Sequence, residues 1–278
     1  MPNFTMLAQN TDVNYVEQAC LAAMSIHASN DNSQVCLITN DVVPDKYKQL
    51  FTHIVQIPWG DHAQNETWKI SNRWKIIHAT PFDNTFVLDC DMLVLSDLTH
   101  WWNKLQSFDA FYVNRVTDYR GDTITGRYYR QSFDKHNLPD IYAGVHYFRK
   151  CEFTFMFYKW LEYALNNWER FQGQFAGGKY YQKVASVDLS TAIITKILGV
   201  EKEITSPYTA YPTFTHMKLH LQNWKVVAPT WQDYVGVYLN NSCELKIGNY
   251  RQQGIFHYTE DSFVNPRILH TYEKRLSI

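Results

Sequence analysis

Two rhythms of apolar and polar positions run along the first hundred residues. Residues 3–8, 35–39 (VCLIT) and 53–57 are short, nearly unbroken apolar runs closed off by polar clusters, the mark of strands buried on both faces. Between them, residues 15–28 repeat at helical spacing, with Val16, Ala19, Cys20, Ala23, Met24 and His27 on one face, and residues 45–51 predict a shorter helix. The order β-α-β-α-β predicts a parallel sheet with helices on its faces. Residues 68–80 predict a further helix stopped by Pro81, and 85–88 a buried strand that runs directly into Asp89, Cys90 and Asp91, then into the apolar stretch 92–95.

The second half is less regular. Strand-like segments stand at 108–114 and 145–148, a long helix is expected over 153–169, a flexible glycine-bearing loop over 173–178 and a helix over 187–198. The C-terminal region reads as loop-rich, with turn signals such as Ser206-Pro207. No repeat, low-complexity tract or interdomain linker interrupts the chain. The expectation is one α/β domain over residues 1–278, a nucleotide-binding Rossmann-like sheet with an irregular C-terminal half. The GxGxxG and P-loop patterns are both missing.

Composition narrows the function. Hydrophobic residues make up 45% of the 278, enough for a sizeable core. Aromatics are high at 16%; most serve packing, but flat rings with polar tips also suit sugar faces and nucleobases. A net charge of −1 gives no global field that would draw nucleic acid or an anionic membrane. The five cysteines, Cys20, Cys36, Cys90, Cys151 and Cys243, are scattered, odd in number and without a CxxC pair, which fits a reducing setting. The N-terminus lacks a signal-peptide pattern, and no stretch approaches the roughly 20 apolar residues of a membrane span. A soluble cytoplasmic protein without a membrane span is the expectation.

Asp89 and Asp91 are the most informative pair. A strand buried on both faces should not end in acids unless they emerge at its carboxyl edge, where α/β sheets place ligands. Residues separated by one position point the same way, so both can converge on one cation. Hard oxygen ligands suit Mg²⁺ or Mn²⁺, which would bridge the phosphates of a nucleotide donor and neutralise a departing diphosphate. The bland alternative has Asp89 capping a turn and Asp91 solvated; the flanking strand and MLVLSDL weigh against it.

The stretch from Arg73-Trp74-Lys75-Ile76-Ile77-His78-Ala79 through FVLDCDMLVLSDL resembles family 8 glycosyltransferases, which have the GT-A fold and a DxD motif. AQNTDVNYVEQACLAAMSI is similar to that family's nucleotide-binding opening, IYAGVHYFRK to its sugar-site loop, SVDLSTAI to its second acidic motif and GIFHYTED to its C-terminal histidine motif. The pieces span about Asn3 to Asp261 in the family's order, and phage-type members look most similar. The resemblance implies a metal-dependent transferase moving a hexose or pentose from a nucleotide sugar, UDP-linked, with retention, and a host-cell cytoplasmic setting if phage-encoded. It implies that Asp89, Asp91 and His257 hold the metal, with His216 the rival histidine. Ala8, Asn10, Asp12 and Tyr15 surround the nucleoside, although Asn10 and Asp12 also suit helix capping. Arg73 reaches the donor sugar and phosphates, with Lys75 on the same face or in solvent, and Cys90 lies between the two acids. Asp188 bonds the transferred sugar's hydroxyls, with Arg73 the second catalytic candidate, and Gly144 permits close approach. Two departures stand out. Tyr142 occupies the family's usual Asn, and no lysine follows His257 at the phosphate position, leaving Lys218, Arg251 and Arg267 as substitutes.

Two other functions compete. A glycoside hydrolase would use Asp89 or Asp188 as acid and base and need neither metal nor nucleotide. A non-catalytic nucleotide-sugar-binding protein would keep the scaffold without turnover. The acceptor stays open among glycans, proteins and modified DNA.

Overall fold

In the computed structural model, which describes residues 1–64, 66, 69–217 and 230–278, the apolar runs form the centre of the molecule. β1 (Asn3–Leu7), β2 (Gln34–Ile38), β3 (His53–Val55) and β4 (Asn84–Leu88) are mutually parallel in the order β3-β2-β1-β4. The crossovers run through α1 (Tyr15–Ser29) and α2 (Asp45–Lys48). Alternation sends the strand side chains into two cores. Phe4, Met6, Val35, Leu37, Phe86 and Leu88 face one; Leu7, Cys36, Ile38 and Val87 face the other. That is why these strands read as continuous apolar runs rather than as alternating ones. Fully burying a side chain such as Phe4 or Leu37 contributes about 1.5–3 kcal/mol.

Beyond β4 the sheet is no longer parallel. β6 (Ala110–Val113) and β8 (Tyr142–Arg149) complete the order β3-β2-β1-β4-β8-β6, with β8 antiparallel to both β4 and β6. The parallel expectation therefore holds for the first four strands only. α1 covers the first face, packed against a C-terminal helix, Pro266–Leu276. α6 (Glu152–Asn166) and α8 (Val187–Leu198) cover the second.

Several boundaries differ from the sequence reading. The helix expected over 68–80 is shorter: a 3-10 turn at Arg73–Lys75 leads into α3 (Ile76–Ala79), and Trp68 lies outside the described residues. Upstream, Lys69 has φ +51°, and the Glu66 carboxylate takes the backbone N–H groups of Ile70 and Ser71, so a loop conformation displaces helix there. The long helix over 153–169 breaks at Asn167, where α7 (Trp168–Phe175) starts in a new direction and carries Gly173 inside it rather than in a loop. Asn14 is the N-cap of α1, its side chain accepting from Glu17 N–H, and Asn10 also caps the first turn through Val16 N–H, whereas Asp12 is exposed. The loop-rich C-terminal region also holds the helix Pro266–Leu276, capped by Asn265 with Pro266 in the first turn.

At the end of β4 the chain leaves one sheet and enters another. β5 (Met92–Val94) joins a four-stranded sheet with β7 (Val116–Thr117), β9 (Phe214–His216) and, from near the C-terminus, β13 (Ile255–His257), in the order β5-β13-β9-β7. Three further strands, β10 (Val237–Leu239), β11 (Leu245–Ile247) and β12 (Tyr250–Arg251), make a small antiparallel sheet alongside. The crossing between the two larger sheets is Asp89-Cys90-Asp91.

Candidate active site

The crossing is fixed by backbone on both sides. Asp89 N–H donates to the Gly144 carbonyl on β8 (2.9 Å), and the Asp91 carbonyl accepts from Tyr258 N–H just beyond β13 (3.2 Å). Between them the Cys90 thiol turns into the core and donates to the Leu7 carbonyl (3.3 Å). Burial raises that thiol far above its ordinary range, so it stays neutral. The two carboxylates are left facing a cleft of about 640 Å³.

β13 brings the third partner. His257 pairs opposite Met92 in the antiparallel β5–β13 register, one residue from Asp91, and its Nε2 lies 2.8 Å from Asp91 Oδ2. Asp89, Asp91 and His257 each offer a ligand atom, and these lie within 4.8 Å of one another, a grouping without a second example among the described residues. Two carboxylate oxygens and an imidazole nitrogen are a donor set that Mn²⁺ accepts. His216 stands outside that trio. It is opposite His257 on β9 and stacks on its ring, with centroids 4.6 Å apart and planes 8° apart. Burial pushes the Asp91 carboxyl upward, but the charge and hydrogen bond of His257, helped by Arg73, outweigh it and hold the group below its usual range.

Arg73 sits on the 3-10 turn and donates from Nη2 to Asp89 Oδ1 at 2.7 Å. Burial works against its charge, and the neighbouring acids more than restore it. A Cβ on Gly144 would lie 2.5 Å from Asp89 Oδ2, so glycine there makes room for the carboxylate itself.

Asp188, in the first turn of α8, also faces the cleft. Its Oδ1 accepts from Ala143 N–H (2.8 Å) and its Oδ2 from Arg130 Nη2 (3.1 Å). Arg130 has a side chain only 5% exposed. It also donates to the Ile141 carbonyl at 2.8 Å and lies flat over the Tyr142 ring, 3.7 Å from its centroid. Tyr142 is thus the stacking surface for a buried cation.

The other sequence candidates divide. Tyr15 lines the cleft, and burial followed by the Asp91 charge raises its phenol, keeping it protonated. Ala8, Asn10 and Asp12 do not line it: Ala8 is fully buried, Asn10 Oδ1 accepts from Val16 N–H (3.0 Å), and Asp12 is exposed. Lys75 is not brought to the cleft. It is fully buried, bonds the Gly60 carbonyl and lies over Trp74, and burial lowers its ammonium. Lys218 lies outside the described residues. Arg251 pairs with Glu244, away from the cleft lining. The sequence reading missed Gln9, Lys69 and Arg130 among the lining residues. For Gln9 a signal existed, as the first polar residue after β1 at its carboxyl end; nothing near Arg130 marks it in the sequence.

No protein-family model and no curated protein matches the chain. Solved structures do. The galactosyltransferase LgtC, determined with donor and acceptor sugar analogues, superposes with a TM-score of 0.56 at 13% identity, covering 99% of this chain and 96% of that one. Mouse xyloside xylosyltransferase 1, in its apo form, gives 0.51 at 10% identity, covering 95% and 99%. The glycosyltransferase GlyE of Streptococcus pneumoniae TIGR4 gives 0.51 at 13% identity over 99% of this chain, which spans 60% of that longer one. The shared arrangement is the GT-A fold, a mixed α/β architecture with a parallel-rich central sheet.

Proposed function

We propose that this chain is a metal-dependent glycosyltransferase that moves a sugar from a nucleotide donor, UDP-linked, to an acceptor with retention of configuration. The observation that carries the reading is the convergence of Asp89, Asp91 and His257 at one edge of a large cleft. A divalent cation held there would supply positive charge to the donor's diphosphate as it departs. Tyr15 would stack on the base, beside Gln9. Arg73, anchored by Asp89, adds a fixed positive charge near the sugar–phosphate bond, in a setting where such charge counts for more than in water. Asp188 is held with its oxygens oriented by Ala143 and Arg130, ready to accept from sugar hydroxyls. Chain-wide, all 278 residues would act as one catalytic unit in the cytoplasm, and no helix among the described residues is long and apolar enough to cross a membrane. Candidate acceptors are glycans, proteins and modified DNA. A net charge of −1 gives the last no phosphate-tracking face.

Thermal melting with UDP in Mn²⁺ and in EDTA tests this directly. A clear upward shift with both ligands and little with either alone is the expected outcome, by mass-action linkage. Equal shifts with and without the cation would remove the metal role. A glycoside hydrolase would show no nucleotide effect at all.

A further inference from the structure

A small pocket opens off the cleft between Asp89 and Asp188. It holds about 50 Å³ and shares Arg73, Asp89, Gly144, Val187 and Asp188 with the cleft, which form its mouth. Ile76 and Leu161 give it an apolar lining behind the mouth, and Tyr112, Tyr158 and His146 close it off. His146 and Tyr158 satisfy one another, His146 Nε2 lying 2.8 Å from the Tyr158 hydroxyl, while His146 Nδ1 bonds the Ala143 carbonyl at 2.8 Å. Burial pushes the His146 imidazole down to about 4, so it is neutral and adds no charge.

One polar group in the pocket stands apart. Thr191 follows Asp188 by one helical turn on α8 and so shares its face. It is fully buried, lines the pocket, and its Oγ1 has no hydrogen-bond partner. Buried hydroxyls are normally satisfied, so an orphan of this kind facing a cavity marks the place of a missing group. A group with a short apolar stem and a terminal hydroxyl or amine would suit both the apolar lining and Thr191. A single water needs roughly 10–15 Å³, so the pocket takes a short arm with room to adjust, and a sugar ring does not fit.

We infer that the pocket receives the exocyclic hydroxymethyl arm of the transferred sugar, and that the donor is therefore a nucleotide-linked hexopyranose rather than a pentose. This rests on the nucleotide-sugar reading above. The methylene packs against Ile76 and Leu161, the hydroxyl bonds Thr191 Oγ1, and the ring stays in the cleft beside Arg73 and Asp188.

Isothermal titration in Mn²⁺ with matched donor pairs tests the inference. UDP-glucose and UDP-xylose differ only by that arm, as do UDP-galactose and the pyranose form of UDP-L-arabinose. The hexose of at least one pair should bind about 10-fold or more tightly than its pentose. Thr191→Val, which keeps the shape and removes the hydroxyl, should shrink that ratio several-fold and leave UDP affinity unchanged. Thr191→Ser should preserve the ratio, which separates loss of the hydroxyl from a packing defect. Equal affinities in both pairs, or a ratio indifferent to Thr191→Val, overturn the inference while UDP binding leaves the parent reading intact. So does a preference for UDP-N-acetylglucosamine over UDP-glucose that Thr191→Val abolishes, since the arm would then be the acetamido group. Absence of UDP binding overturns both.

Discussion

Of the carboxylate–cation pairs that line the cleft, two are built for opposite purposes. Where β5 meets β13, Asp91 is paired with His257, an imidazole, which can coordinate a metal when neutral. At the start of α8, Asp188 is paired with Arg130, a guanidinium, which cannot coordinate a metal. Arg130 is further committed to the Ile141 carbonyl and to the Tyr142 ring, so its guanidinium has no freedom to leave. His257 sits on a strand end, with Nε2 on Asp91 and its ring stacked on the His216 imidazole. In its Nδ1–H tautomer a neutral His257 gives up that bond and turns the Nε2 lone pair toward the spot that Asp89 and Asp91 face. On the proposed reading the first pair would give way to a metal ion, while the second is a fixed strut that orients a carboxylate.

The contrast can be broken most severely at Asp91. Asp91→Asn should lower transfer by at least about 100-fold, the loss expected for a metal ligand that also carries charge stabilisation, while the melting temperature without metal changes little. A variant that turns over normally in Mn²⁺ would put the cation elsewhere. His257→Ala should weaken Mn²⁺ and UDP binding together by about 10–100-fold in calorimetry. His216→Ala, outside the converging trio, should leave both nearly unchanged, and a reversed outcome would move the site to β9.

Arg130→Met should act on stability as well as on turnover. Removing one partner of a buried ion pair costs roughly 3–5 kcal/mol, but Asp188 is 35% exposed, so water screens the remaining charge and about 1–3 kcal/mol is expected in urea unfolding. Metal-dependent UDP binding should survive it. If Arg130→Met instead abolished the metal effect and left stability alone, the strut assignment would fail. The gentlest probe is pH. Coordination requires neutral His257, so Mn²⁺ affinity should fall as pH drops, by about 10-fold per unit once below the titration of the imidazole. The measurement runs from pH 8 down to 6. A Mn²⁺ affinity flat across that window would exclude a histidine ligand.

The sequence disclosed these two pairs unequally. Asp89 and Asp91 were legible because acids at the end of a doubly buried strand contradict their surroundings, and the contradiction has one cheap resolution at a sheet edge. The four parallel strands were legible for the same reason: their apolar runs admit only burial on both faces. Arg130 was not. It stands in a 3-10 turn among polar residues, and only the tertiary approach of β8 and α8 gives it Tyr142 and Asp188. Lys75 misled in the other direction. A cation two positions from Arg73 could share its side of a regular helix only loosely, and in the tighter turn that forms it bonds Gly60 instead. The helix Pro266–Leu276 carried a readable Asn-Pro start, but its sparse apolar stripe of Ile268 and Tyr272 gave little periodicity to follow.

Asp91 and His257 are 166 positions apart, and the strand that delivers the histidine is among the last to be made. At about 5–20 residues per second of ribosomal synthesis, the acidic loop exists for roughly 10 to 30 seconds before its imidazole partner is translated. During that interval the first four strands can already pair with one another, since β1, β2, β3 and β4 all lie upstream of Asp89. The β5 edge, by contrast, has no β13 to pair with. A ribosome-bound chain therefore displays the two carboxylates on a half-finished sheet, and the trio of Asp89, Asp91 and His257 assembles as a single late event, in step with the closing of that edge.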